Sequence, residues 1–108
     1  MMNPKNMGKM MKQAQQMQKK MGEVQQRLSE LEVTGKANNG LVKVIMDGKQ
    51  KVIDIKIDSS LLNEEIDMLE DLVLTAINEA VAKSHKMAEK QMNDVTGNLL
   101  GNIKLPGM

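Results

Sequence analysis

Between Met7 and Leu31 the apolar residues recur at alternating steps of three and four: Met7, Met10, Ala14, Met17, Met21, Val24, Leu28 and Leu31. That spacing keeps one side of an α-helix apolar over its whole length, the pattern of a helix packed lengthwise on another helix. The seam is unbroken. Any fold for this chain has to supply a partner for it.

A second row runs along the same segment. Lys5, Lys9, Lys12, Gln16 and Lys19 sit at i, i+4, i+7, i+11 and i+14, which at about 3.6 residues per turn forms a stripe opposite the seam. The segment therefore has a dry side and a positive side. Asn3 and Pro4 suit an N-cap and a first helical position, so the helix is expected over about residues 4–31, weakened locally by Gly8 and Gly22.

Three strands follow in the sequence pattern. Val33 and Thr34 mark a first one over 32–37, and Asn38-Asn39-Gly40 is a strong turn signal. A second strand covers 41–46, Asp47-Gly48-Lys49 turns the chain, and a third covers 51–57. Simple alternation there puts Ile53, Ile55 and Ile57 on one face and Val52, Asp54 and Lys56 on the other. Asp58-Ser59-Ser60 can cap a short turn. A second helix is predicted over about 64–94, with Leu69, Val73, Ala76, Ile77, Ala80, Ser84 and Met87 on one side. Glycines 97, 101 and 107 and Pro106 predict an irregular tail over 96–108.

These elements make one α+β domain over residues 1–108: a long helix, a three-stranded antiparallel meander and a long helix. Each helix would be on the order of 40 Å long at about 1.5 Å per residue, far longer than the sheet. The helices are expected to project as a paired arm. Antiparallel pairing within it would bring Lys5, Lys9 and Lys12 near Lys86 and Lys90, making the tip the most positive place. The exposed sheet edges and apolar surface invite a twofold partner.

Composition narrows the function. The chain of 108 residues has no cysteine, so disulfides and thiolate metal sites are excluded. No run approaches the roughly 20 apolar residues of a membrane span, and no secretory leader is visible, so a soluble, unexported protein is expected. Phe, Tyr and Trp are absent, which removes the rings on which unpaired bases stack and makes duplex backbone the better nucleic-acid target. The net charge of +1 conceals segregation. Met1 to Glu30 carries six positive and two negative side chains; Ser59 to Ala82 carries six acids and no Lys or Arg; positive charge returns from Lys83.

No catalytic arrangement emerges. His85 is the only histidine, and its neighbour Ser84 does not share its helix face, so a Ser-His pair or a transition-metal site is disfavoured. The acids from Glu64 to Asp71 match no calcium loop and suit a helix N-terminus. No cofactor, metal, small-molecule substrate or membrane is expected, and no enzyme activity.

Several stretches together resemble the YbaB/EbfC family of bacterial nucleoid-associated proteins. They are MKQAQQMQKKM (Met11 to Met21), LSELEVTGKANNGLVKV (Leu28 to Val44), KIDSSLL (Lys56 to Leu62), MLEDLVLTAINEA (Met68 to Ala80) and LPG (Leu105 to Gly107). The resemblance covers nearly the whole chain in order. It implies a homodimer formed through the sheet, with paired helices projecting like the jaws of tweezers and double-stranded DNA bound by the arms. It also implies a nucleoid-associated, cytoplasmic location, with replication or recombination proteins as candidate partners.

On this sequence the implied DNA contacts fall to Lys5, Lys9, Lys12, Lys19, Lys20 and Arg27 on the first helix and to Lys83, Lys86 and Lys90 on the second. Lysines with a single arginine among them argue for phosphate contacts and weak sequence preference, since bidentate guanine recognition favours arginine. The competing expectation is a protein-interaction adaptor whose methionine-rich arms grip a partner, the lysines only solubilising it.

Overall fold

A computed structural model of the chain describes the backbone of residues 4–100 and the side chains of residues 6–95. The order is α1 (Pro4–Glu30), β1 (Glu32–Ala37), β2 (Val42–Asp47), β3 (Val52–Ile57), a single 3-10 turn (Ser59–Leu61) and α2 (Ile66–Leu100). The three strands form one antiparallel sheet in the order β1-β2-β3. This is the expected α+β architecture. The molecule is elongated, 72 × 28 × 19 Å.

The turns explain the meander. Asn38 and Asn39 both adopt positive φ (51° and 57°), and the Gly40 N–H donates to the Ala37 carbonyl, closing a turn whose twist matches its strands. At the other end the Asp47 carboxylate accepts the N–H groups of Lys49 (2.8 Å) and Lys51 (3.0 Å), pinning the β2–β3 turn. Asp58 caps the 3-10 turn through the Ser60 N–H at 2.9 Å, a contact that holds its carboxyl below the usual range.

α2 crosses β1 and β2 on one side of the sheet. Val42, Val44 and Met46 of β2, Ala37 of β1 and Leu61 are buried against Ala76 and Ala80, with Leu69, Leu72, Val73 and Ile77 packed around them. Small residues at Ala76, Ala80 and Ser84 form the contact stripe of α2, all fully buried. Gly35 of β1 lies so close that an added Cβ would stand 2.1 Å from the Ala76 carbonyl oxygen. The Ser84 hydroxyl donates to the Asp47 carbonyl at 2.7 Å, satisfying the one polar group in that stripe.

Among the described residues, α1 is anchored at its C-terminal end alone. Val24 and Leu28 are buried, and the Gly48 N–H donates to the Leu28 carbonyl at 2.8 Å, tying the helix to the β2–β3 turn. A side chain at 48 would collide with Leu28, so this anchor requires glycine.

Three expectations need correction. The ladder slips between Ile45 and Met46: Ile45 faces Asp54, Met46 faces Val52, and Ile53 is the extra residue of a β-bulge. Val52, Ile55 and Ile57 therefore stand opposite the buried Met46, Val44 and Val42, so simple alternation misplaced Val52. Second, α2 continues to Leu100 and does not end near 94. One glycine costs a formed helix only about 1 kcal/mol, too little to stop it at Gly97. Residues 101–108, the rest of the expected irregular tail, lie outside the described residues. Third, among the described residues the methionine half of the α1 seam has no helix over it: Met7, Met10 and Met17 are 45–54% exposed.

α2 leaves β3 uncovered. All six β3 residues are exposed, with Val52, Ile53, Ile55 and Ile57 between 41 and 50%. Ile66 and Leu74 of α2 are also bare, and with Leu69, Val73 and Ile77 they line an open groove of about 400 Å³. Among the described residues no helix is long and apolar enough to cross a membrane.

Candidate nucleic-acid interface

The positive surface is built on α1. From Pro4 to Gly22 the helix contains lysines and no acid. Lys9, Lys12, Lys19 and Lys20 are all exposed, and none forms an ion pair among the described residues. Lys5 lies on α1, but its side chain is outside the described residues. Long ammonium side chains on a free helix can reach phosphates without distorting the fold.

The contacts between α1 and α2 set the register of the arm. Leu28 lies beside Ala88, the Arg27 guanidinium donates to Gln91 Oε1 at 3.0 Å, and Val24 shares a recess with Asp94 and Val95. The helices are therefore antiparallel. In this register Lys90 stands level with Arg27, and Lys86 stands near the base of the arm. Lys9 and Lys12 lie on the order of 20 Å farther out, at about 1.5 Å per residue. Their helix positions therefore set Lys5, Lys9 and Lys12 far along the backbone from Lys86 and Lys90, against the expected cluster: the tether at Gly48 fixes Leu28, and with it the whole register. The cations are strung along the arm.

The remaining sites differ in availability. Lys20 and Arg27 share a recess with Glu23 and Asp94, which tempers their field. Lys86 and Lys90 are exposed on α2 and form no ion pair among the described residues. Lys83 is already engaged: its ammonium sits 2.9 Å from Glu79 and donates to the Thr34 carbonyl of β1 at 2.9 Å. The hydrogen bond from Lys83 to the Glu79 carboxylate is the main cause of the lowered pKa of Glu79, with the Lys36 backbone N–H adding to it. Glu79 and Lys83 together occupy the free edge of β1. His85 is exposed beside Glu89 at 3.1 Å. Among the described residues no group of three His, Cys, Asp or Glu side chains is placed to hold a metal.

The fold is an α+β sheet base carrying a long helical arm with exposed lysines along it. The chain belongs to the YbaB/EbfC DNA-binding family, whose profile matches residues 2–99. It is 43% identical over 94 residues to the nucleoid-associated protein of Legionella pneumophila strain Corby, covering 87% of this chain and 84% of that one. The nucleoid-associated protein lpp2803 of strain Paris matches equally well. In fold it is similar to the crystal structure of the uncharacterized protein HP0035 from Helicobacter pylori, with a TM-score of 0.65 and 23% identity, covering 93% of this chain and 99% of that one.

Proposed function

We propose that this chain is a nucleoid-associated protein of the bacterial cytoplasm that works as a homodimer and grips duplex DNA with the lysine faces of its arms. The observation that carries this is the exposed, acid-free lysine stripe of α1, Lys9, Lys12, Lys19 and Lys20, on a helix free of the sheet for most of its length. Lys86, Lys90 and Arg27 extend the same charge toward the base. Contacts are mainly to phosphate, with weak sequence preference, because lysines read charge and not base edges. Dimerisation closes over β3, the edge whose apolar face α2 leaves bare; the edge of β1 is already occupied by Glu79 and Lys83.

The test is a titration of random-sequence duplex by fluorescence anisotropy at 50 and 200 mM salt, with the dimer verified at the same concentrations. Roughly 6 to 10 phosphate contacts predict a loss of affinity of about 10³ to 10⁵ across that range. Lys9→Glu combined with Lys12→Glu should weaken binding and leave the dimer intact. Unchanged affinity in that variant would remove the arm from the interface.

The uncovered methionines favour a second reading, a protein-interaction adaptor that grips a helical partner, with replication or recombination proteins as the candidates. Partner capture that survives nuclease treatment, from a protein that ignores duplex, would establish it.

A further inference from the structure

Three lysines stand side by side across the sheet. The register sets Lys36 opposite Lys43 and Lys43 opposite Lys56, one from each strand, with neighbouring strands roughly 5 Å apart. Val42 and Val44 on either side of Lys43 are buried under α2, so Lys43 and its two neighbours lie on the open face of the sheet. Like charges directly opposite one another destabilise a sheet, and this row does so twice. Solvating that face would not require it; threonine or an alternation of signs would serve.

The row is also shaped. Lys43 Cε and Lys36 Cδ lie 3.5 and 4.0 Å from the point where a Cβ on Gly40 would stand, so both stems rest over the β1–β2 turn. Acids are near: Asp54 and Asp58 flank Lys56 along β3, and Glu79 lies beyond the β1 edge. Asp58 is committed to the Ser60 N–H at 2.9 Å and Glu79 to Lys83 at 2.9 Å. None of the three forms an ion pair within 4.0 Å with an ammonium of the row, although Glu79 accepts the Lys36 backbone N–H and feels its charge.

We propose that Lys36, Lys43 and Lys56 form a second binding place for duplex DNA phosphates, so that the protein bridges two duplex segments, one on an arm and one on the sheet. This rests on the reading of the chain as a duplex binder. Its support is position as well as charge. The arm leaves the sheet where Gly48 meets Leu28. Lys43 lies roughly 16 Å away from that point along β2, and Lys9 roughly 28 Å away along α1. The two places sit toward opposite ends of a molecule 72 Å long.

The experiment uses the full chain, a short duplex in solution, and a bead-bound duplex that captures a second, labelled one through the protein. Compared with wild type, Lys36→Gln/Lys43→Gln/Lys56→Gln should bind the single duplex within about threefold and capture the second at least about tenfold less well. Lys43→Gln alone should melt at or above the wild-type temperature, because it removes two like-charge contacts. Capture by the triple variant equal to wild type would overturn the proposal, as would a melting temperature lowered together with both binding readouts. If Lys9→Glu/Lys12→Glu leaves single-duplex binding untouched while the row variant loses capture, the arm reading fails and the row stands.

Discussion

Gly35 shows how far one position can set a contact. It sits where β1 touches α2, and an added Cβ would meet the Ala76 carbonyl oxygen at 2.1 Å, the Ala80 nitrogen at 2.5 Å and the Ala80 Cβ at 2.8 Å. Two of these are backbone atoms, so no rotamer change relieves the clash and the helix has to lift from the strand. Gly35→Ala is expected to cost about 1–3 kcal/mol or more by overpacking, read as a lower denaturant midpoint. Ala80→Gly in the same chain should not restore it, since the Ala76 oxygen remains in place. Gly22 is the control: nothing lies within 4 Å of its added Cβ, and Gly22→Ala should raise stability by up to about 1 kcal/mol through helix propensity. In the sequence the two glycines look alike, because the difference lies in what the fold brings against them.

At the scale of elements, spacing disclosed faces but not what covers them. The α1 seam was legible from its three-and-four steps, yet only Val24 and Leu28 find complete burial, because among the described residues α2 packs on α1 only near its C-terminal end. The β3 bulge was hidden for a related reason: an inserted residue leaves composition unchanged and shows only in the ladder against β2. The Glu79–Lys83 pair has the i, i+4 spacing of a helix surface, but its place at the β1 edge depends on α2 crossing there. Its pH dependence follows from the lowered Glu79 pKa, caused chiefly by the Lys83 hydrogen bond. A carboxyl whose folded pKa is depressed adds stability that is present above its unfolded value of 4.5 and lost as pH falls through the lower folded one. Glu79→Gln should therefore flatten the decline of melting temperature as pH falls below about 4.5. An unchanged slope would mean that the pair leaves the fold indifferent.

For the whole molecule, charge segregation along the chain was readable at once, and the arm lysines followed from it. The row across the sheet was not, since Lys36, Lys43 and Lys56 are far apart in sequence and align only through the register of two hairpins. The partner surface lay between these cases. Isoleucines in a terminal strand suggested a buried face, but β1 and β3 have equal claims as edges until α2 is seen to cover one and leave the other. If two copies close over β3, a charge at its centre should separate them without unfolding either. Ile55 is the position to choose, because it is 43% exposed and stands beside β2 without being enclosed by α2. Ile55→Asp is expected to give the mass of one 12.0 kDa chain by light scattering, with helical circular dichroism retained. Two arms joined at one base bind a single duplex with a gain of about 10² to 10⁴ over one arm, and the variant should lose most of it. A variant that remains dimeric would move the interface to the α2 groove at Ile66 and Leu74. A variant that becomes monomeric and binds duplex as tightly as the wild type would mean that each arm acts alone, and pairing would then serve only to cover apolar surface.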